Sequence, residues 1–269
     1  METTQTPPQK RNMLPLLLFL IIIGVAIALI AKPRVAAVGN SQSGAADLTT
    51  NSDSGDTALD DSSTTNGAWN TVCEKTWPIA TSPTVPDQVA GEHICGNPNA
   101  KLVIVEYTDL ECPYCKVFHP YLQQLVAESN GKIAWVLRHY PIDQLHSRAR
   151  HEAEAAECAG EQQGEVGFWK YVDKVFSVTS SNNSLSPDLL PLIAVAQGLD
   201  KNAFMDCLGS GKYLQKIANL SALAEANGHE AVGTPNSRIV MNGKEVEEVK
   251  GAVDFATLKA KTDLWLKAE

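Results

Sequence analysis

Two cysteines separated by two residues, in Cys112-Pro113-Tyr114-Cys115, carry the clearest chemistry in this sequence. Pro113 suits the first position of a helix, because its missing N–H would have no partner within that helix. Cys112 would then lie at the helix N-terminus, where free amide groups and the helix dipole favour an anion and lower the pKa of a thiol. Cys115 lies three residues later on the same helical face, within reach of a disulfide. The spacing therefore predicts a redox-active dithiol.

Two other interpretations of this cysteine pair are less favoured. A structural zinc site needs four ligands, and the sequence contains no second Cys-x-x-Cys. His146 and His151 are five residues apart and would face different sides of a helix. An inert structural pair is the least favoured. We therefore expect no metal site, and no cofactor other than the redox-active disulfide between Cys112 and Cys115.

Hydrophobic periodicity predicts the elements that position the dithiol. Leu102 to Val105 form a short apolar run typical of a buried strand, and the chain turns after it. Beyond Pro113, apolar side chains recur with the period of a helix, on which His119 is expected to be exposed. Ile133 to Leu137 predict a second strand. The apolar positions of the helix are Val117, Phe118, Tyr121, Leu122 and Leu125.

The rest of the sequence predicts a helical block, a hairpin and a final helix. Asn242-Gly243 is a typical two-residue turn between strands at 238–241 and 245–249. Asp254 can cap a final helix that extends through Trp265. Within the block, Ala149, Ala153 and Ala156 mark a first helix, followed by segments at 168–176, 187–195, 200–208 (begun by Asp200 and closed by Gly209) and 210–226.

The order of these elements predicts an α/β fold. A helix between two sequential strands implies a right-handed parallel crossover. The later hairpin adds antiparallel strands, which gives a mixed central sheet flanked by helices. The helical block, residues 144–228, would be an all-helical insertion between the two halves of that sheet, in a domain that spans residues 68–269.

The first 67 residues are predicted to lie outside this domain. Residues 1–12 would be a cytoplasmic N-terminus, and the apolar run 13–31 is long enough for a transmembrane signal-anchor. Residues 32–67 are rich in Ser, Thr, Asp and Gly and would form a flexible tether. A signal peptide cleaved near Val35-Ala36-Ala37 is the alternative. The expected location is the cell membrane, with one membrane span and the catalytic domain on the extracytoplasmic side.

Charge and cysteine distribution narrow the function classes. The formal net charge is −9 and no basic stripe exists, so nucleic acid is not an expected partner. All six cysteines follow the apolar run, and an even number in an exported domain suggests disulfides. Four reduced thiols in a cytoplasmic domain are the alternative. Outside the dithiol, the four cysteines that allow three connectivities are Cys73, Cys95, Cys158 and Cys207.

The order of elements, with the Cys-Pro-Tyr-Cys segment opening the first helix and Gly233-Thr234-Pro235 before the hairpin, resembles the thioredoxin fold. The helical block between the two halves makes the chain similar to the DsbA-like family of exported thiol-disulfide oxidoreductases. This resemblance covers residues 92–269 and leaves the N-terminal segments outside it.

The resemblance implies roles for several residues. Cys112 would be the nucleophile and Cys115 the resolving thiol. Thr234 and Pro235 would be joined by a cis peptide bond that faces the dithiol, and the backbone before the proline would pair with an extended substrate strand. The residues expected to bind substrate are Thr234, Pro235, Pro113 and Tyr114.

Glu106 matches an acidic residue that lies beneath the dithiol in relatives. It shares a strand face with Leu102 and Ile104, so burial would raise its pKa. It could then accept the proton of Cys115 as a catalytic group. A solvated carboxylate at the end of the strand is the alternative.

The resemblance also implies a disulfide pairing. Some family members carry a second disulfide between two insertion helices, which favours Cys158–Cys207. The complementary pair is Cys73–Cys95, which would staple the residues that precede the first strand.

The activity that the resemblance implies is donation of the dithiol's disulfide to unfolded or partly folded exported proteins. A membrane redox partner would reoxidise the dithiol. Tyr114 stands where the best-known oxidases carry His, so a reductase or disulfide isomerase of the same fold is an alternative. A tethered chaperone-like module, whose helical block binds unfolded chains, is another.

Overall fold

The computed structural model describes residues 72–75, 77, 83–229 and 233–268. The N-terminal segments predicted at 1–12, 13–31 and 32–67 lie outside the described residues. The boundaries of the N-terminus and the tether, and the start of the domain at residue 68, stay predictions.

The predictions of a transmembrane signal-anchor and of a single-pass membrane location are corrected. No helix within the described residues is long and apolar enough to cross a bilayer. The longest of them, Ala149–Val178, carries acidic and basic side chains along its length, and charged side chains are costly at the centre of a membrane. Both the predicted transmembrane anchor and the predicted membrane location are therefore wrong.

The described strands form one mixed sheet in the order β1-β3-β2-β4-β5. β2 and β3 are parallel, as expected for strands joined by a helix, and the other neighbouring pairs are antiparallel. This confirms the predicted α/β fold class with a mixed sheet. The strands are His93–Gly96 (β1), Leu102–Thr108 (β2), Ile133–His139 (β3), Asn236–Met241 (β4) and Lys244–Lys250 (β5).

Six described α-helices flank the sheet, and four of them lie between β3 and β4. The predicted helical insertion is therefore confirmed. The helices are Pro113–Glu128 (α1), Ala149–Val178 (α2), Leu190–Ala196 (α3), Lys201–Ser210 (α4), Leu214–Ala226 (α5) and Phe255–Lys267 (α6), with a short 3-10 turn at Pro187–Leu189 before α3.

Two helix boundaries differ from the predictions. The segments predicted around Ala149 and Phe168 are two halves of α2, which is interrupted by non-helical backbone at Gln163 and Gly164. The predicted end at Gly209 is wrong, because α4 continues to Ser210 and is capped by Gly211, where φ is 63°. Glycine adopts this left-handed conformation at the least cost, so Gly211 ends the helix. Gly209 lies within the helix and does not end it.

Local turn and cap chemistry was predictable. The carboxylates of Asp200 and Asp254 accept hydrogen bonds from the backbone N–H three residues later, at 2.7 and 2.8 Å. Asn242 and Gly243 have φ of 50° and 79°, as a two-residue hairpin turn requires. The predicted starts of α4 and α6 and the β4–β5 hairpin are confirmed.

Aromatic packing joins the insertion to the sheet. Trp135 on β3 contacts Trp169 on α2, with ring centroids 4.5 Å apart. His119 was predicted to be exposed, but it is buried, and its Nε2 lies 2.6 Å from Asp173 Oδ1 on α2. The reason is helical geometry, because His119 follows Cys115 by four residues and so shares its buried face.

β1 is the strand that hydrophobic periodicity does not reveal, because it has only four residues at the sheet edge. Long-range polar contacts hold it in place. The ring nitrogens of His93 lie 3.0 Å from Glu165 and 3.1 Å from Glu157, both on α2. Burial alone lowers the pKa of His93, but the two carboxylates outweigh burial and raise it. The imidazole thus clamps β1 to the insertion.

Two disulfides fix the parts of the domain that flank the sheet. Cys158 on α2 is bonded to Cys207 on α4, and Cys73 is bonded to Cys95 on β1. These are the pairings that the resemblance implied. The first links two insertion helices, and the second attaches the residues around Cys73 to the sheet edge.

We expect the two disulfides to stabilise the domain to different degrees. In the chain-entropy model, replacing Cys158 and Cys207 by Ala costs about 4 kcal/mol and replacing Cys73 and Cys95 costs about 3 kcal/mol, since the first pair closes the longer loop. Urea unfolding in a Cys112→Ser/Cys115→Ser background isolates both effects. A larger loss for the Cys73–Cys95 pair would contradict the loop-length argument.

Candidate active site

The dithiol lies where β2 passes into α1. Cys112 has extended backbone (φ −78°, ψ 123°) and immediately precedes Pro113, the first residue of the helix. Its N–H donates to Asp109 O at 3.1 Å, and its carbonyl accepts from Lys116 N at 3.1 Å. The turn and the helix N-terminus thus hold Cys112 between them, as the sequence predicted.

The second predicted segment meets the dithiol in space. The Thr234-Pro235 peptide bond is cis, as the resemblance implied, and leads directly into β4. Cys112 Sγ lies 3.4 Å from Thr234 O, to which the thiol donates. Residues separated by more than a hundred positions therefore form one site.

The two thiols differ strongly in acidity. A hydrogen bond with Cys115 lowers the pKa of Cys112 to about 6, and although burial opposes this, the Thr234 side chain and the amides of Tyr114 and Cys115 lower it further. Burial raises the pKa of Cys115 well above its ordinary value, and the adjacent Cys112 and Glu106 add to that effect. Cys112 is 4% exposed and Cys115 0%, so both thiols are buried and Cys112 is the more accessible of the two.

Glu106 lies beneath the dithiol with no exposed surface. Burial raises its pKa to about 8, although hydrogen bonds with Thr108 and Trp135 oppose the shift. Trp135 Nε1 donates to Glu106 Oε2 at 3.1 Å. At neutral pH this carboxyl is mostly protonated, so it can donate a proton at the dithiol as well as accept one. The structure does not place it in solvent at the strand end.

Asp109 and His146 belong to the site although the sequence interpretation missed them. The buried Asp109 carboxylate accepts from Glu111 N at 2.9 Å and Ile142 N at 2.8 Å, and it lies 3.0 Å from His146 Nδ1. This hydrogen bond with Asp109 raises the pKa of His146, and the charge of Cys112 acts in the same direction. Asp109 therefore ties the dithiol turn to the loop that follows β3.

Glu111 ties the same turn to the insertion. Its carboxylate accepts from three successive backbone N–H groups, those of Asn183, Ser184 and Leu185, at 2.8 to 3.3 Å. Burial, and then the adjacent Glu111, raise the pKa of Glu152 on α2 to about 9. Glu152 is thus neutral at physiological pH, which avoids repulsion between two buried carboxylates. The signal in the sequence for this contact is an acidic residue, Glu111, directly before Cys112.

Exposed apolar side chains surround the buried thiols. Tyr114 is 67% exposed and Val117, one turn later on α1, is 52% exposed. Leu145, at 64%, precedes His146 on the loop held by Asp109. Of the residues expected to bind substrate, Tyr114 is exposed, Pro113 and Thr234 are half-buried, and Pro235 is buried.

A family model described as thioredoxin matches residues 88–260. This is more than half of the chain. The chain belongs to the thioredoxin family. The solved structures that the chain resembles support its expected similarity to the DsbA-like family.

The fold is similar to that of Pseudomonas aeruginosa DsbA2, with a TM-score of 0.56 and 30% sequence identity, over 67% of this chain and 97% of that protein. It is also similar to a thioredoxin-like oxidoreductase from Silicibacter pomeroyi DSS-3, with a TM-score of 0.53 and 26% identity, over 67% of this chain and 95% of the other. These likenesses support a DsbA-like fold for the chain.

Among curated proteins, the chain is 30% identical over 191 residues to the Na(+)/H(+) antiporter NhaA 3 of Salinispora tropica. The match covers 66% of this chain and 26% of the antiporter. NhaA 1 of Mycolicibacterium gilvum matches similarly, with 62% of this chain and 25% of that protein covered. The chain thus spans about a quarter of the length of these relatives, which are named as antiporters.

We expect the thiolate absorbance of the reduced oxidoreductase to appear with a midpoint near pH 6. Replacing Cys112 by Ser should remove this transition, because Cys115 titrates far higher. Since the pKa of Cys112 is lowered on folding, the thiolate stabilises the reduced fold at high pH, and that stabilisation is lost as the pH falls through 6. A midpoint near the ordinary thiol pKa would contradict the role of the helix N-terminus.

Proposed function

We propose that this oxidoreductase donates the Cys112–Cys115 disulfide to reduced, partly folded exported proteins. The observation that supports this most directly is the unequal acidity of the two thiols, with the pKa of Cys112 at about 6 and that of Cys115 raised. In thiol-disulfide exchange, the thiol of lower pKa leaves faster. A mixed disulfide on Cys112 is therefore readily resolved with release of the enzyme's thiolate and an oxidised substrate.

The reaction proceeds in two exchanges. A substrate thiolate attacks Cys112 Sγ, the bond to Cys115 breaks, and the Cys115 sulfur takes a proton for which Glu106 is the buried donor. A second substrate thiolate then attacks the substrate sulfur of the mixed disulfide, and Cys112 leaves as a thiolate. The substrate loses two electrons, and the enzyme is left as the dithiol.

The surface around Cys112 is suited to unfolded chains. Such chains expose apolar side chains and extended backbone, and the site offers both Tyr114 and Leu145 as exposed apolar contacts and the backbone before Pro235 as a strand-pairing edge. The Cys158–Cys207 and Cys73–Cys95 disulfides favour an oxidising compartment, in which new proteins acquire their own disulfides. A redox partner then accepts the electrons of the dithiol.

We expect a reduction potential between those of thioredoxin (about −270 mV) and DsbA (about −120 mV). The reason is that the pKa of Cys112, about 6, falls between the values of about 7 and 3.5 of those two proteins. Equilibration with glutathione buffers, read by alkylation and mass, gives the potential. A value at or below that of thioredoxin would favour the reductase alternative.

The order of attack gives a second test. Replacing Cys115 by Ala should trap mixed disulfides with reduced, unfolded client proteins once Cys112 has been loaded as its mixed disulfide with glutathione: the client thiolate attacks Cys112, glutathione leaves, and the new bond on Cys112 lacks its intramolecular resolving thiol. Replacing Cys112 by Ala should abolish them. Non-reducing gels with tryptic mapping identify the linked cysteine. Equal trapping by both variants would contradict Cys112 as the nucleophile, and no trapping by either would contradict the proposed activity.

A further inference from the structure

The proton that Cys115 needs must travel through the protein interior. Cys115 and Glu106 are both completely buried. One carboxyl oxygen of Glu106, Oε2, accepts from Trp135 Nε1 at 3.1 Å. The other, Oε1, is buried and lacks a hydrogen bond of regular geometry. A buried carboxyl oxygen without a partner is unusual, so the groups around Oε1 are of interest.

Thr108 supplies a hydroxyl at this position. It follows Glu106 by two residues on β2, so both side chains project from the same face of the sheet. Thr108 is 1% exposed, and its Oγ1 is a second buried atom without a regular hydrogen bond. The next residue, Asp109, places its N–H 3.5 Å from Cys115 Sγ. Thr108 therefore lies on β2 between Glu106 and the residue whose N–H contacts Cys115 Sγ.

The electrostatics of the two acids agree with this placement. The Thr108 hydroxyl lowers the pKa of Glu106 and also that of Cys115, which in both cases opposes the larger effect of burial. A single hydroxyl can act on both groups only if it lies within reach of each. The carboxyl of Glu106 and the thiol of Cys115 are thus the two ends of one short path.

We propose that the Thr108 hydroxyl relays a proton between Glu106 Oε1 and Cys115 Sγ. The proposal rests on the disulfide-exchange function described above. When the bond between Cys112 and Cys115 breaks, the Cys115 sulfur accepts the Thr108 hydroxyl proton while Thr108 Oγ1 accepts the proton of Glu106. Glu106 becomes a carboxylate, Cys115 a neutral thiol, and Thr108 is unchanged. The reverse sequence deprotonates Cys115 when it attacks a mixed disulfide.

Chemistry favours Thr108 over its neighbours for this role. A hydroxyl is both donor and acceptor, as a relay requires, whereas the Trp135 indole and the Asp109 amide are donors only. The other titratable or charged groups around the site are Cys112, Asp109 and His146, with His119 and Asp173 behind Trp135. Of these, His119 also has a buried ring nitrogen without a partner, Nδ1, but it belongs to α1 and packs on Trp135, whereas Thr108 lies on the same strand face as Glu106.

Thr108→Val and Thr108→Ser are the matched variants that test the relay. Val keeps the shape of the side chain but has no hydroxyl, and Ser keeps the hydroxyl. The measured quantity is the rate at which reduced glutathione attacks the oxidised full-length chain, corrected at each pH for the glutathione thiolate fraction. In the wild type, we expect this rate to fall above a pH of about 8, where Glu106 loses its proton.

We expect Thr108→Val to slow the reaction by about tenfold or more below that pH and to flatten the profile, since general acid catalysis contributes about 10²- to 10⁴-fold. Thr108→Ser should stay within about twofold of the wild type and keep the profile. An unchanged rate and profile in Thr108→Val would overturn the relay. Equal slowing in both variants would also overturn it, because loss of packing would then be the cause.

Two further measurements distinguish a failure of the Thr108 relay from a failure of Glu106 as the acid and from a loss of stability. Glu106→Gln should flatten the pH profile by itself, and a profile that keeps its fall in this variant would show that Glu106 is not the acid, whatever Thr108 does. Thr108→Val should unfold at a urea concentration equal to or above that of the wild type, because it removes a buried hydroxyl with no regular partner. A purely structural role for the hydroxyl predicts the opposite result.

Discussion

The constraint on which this structure depends is the complete burial of one thiol beside a second thiol whose thiolate is stabilised by hydrogen bonds. Cys115 and Glu106 lie at the closed end of the β2–α1 junction without exposed surface, and burial raises the pKa of both. Cys112, one helical turn away, receives hydrogen bonds from Cys115 and from the helix amides, so its pKa falls to about 6. Two identical side chains thereby acquire different functions.

Keeping that junction rigid explains much of the surrounding architecture. Asp109 joins the dithiol turn to the loop after β3, and Glu111 joins it to the insertion through three backbone N–H groups. The insertion is therefore part of the active site's support and not only an added helical surface. Because acidic side chains would repel one another in this confined region, the neutral state of Glu152 is a condition for the arrangement.

The redox character follows from a balance between these groups. Tyr114, which separates the cysteines together with Pro113, is largely exposed. The Cys115 thiol supplies the largest stabilisation of the Cys112 thiolate, burial opposes it, and the Thr234 side chain and the amides of the helix N-terminus add to it. His146 is the nearby imidazole whose pKa responds to Cys112, and it comes from the loop after β3 instead of from the dipeptide between the cysteines.

The sequence alone determined the features that local physical chemistry controls. Proline after Cys112 sets the helix start, aspartates set the caps of α4 and α6, and Asn242-Gly243 sets the hairpin. The order of elements and two motifs were enough for the fold class. The strand pattern also placed Glu106 on a buried face.

Only the tertiary structure decided what depends on contacts between distant segments. β1 forms because a disulfide and the clamp around His93 hold four residues at the sheet edge, and periodicity cannot report such contacts. His119 is buried because α2 packs over it and offers Asp173. Thr108 and Trp135 reach Glu106 only through the pleat of β2 and its register with β3, since side-chain partners in a sheet are set by strand pairing and not by sequence spacing.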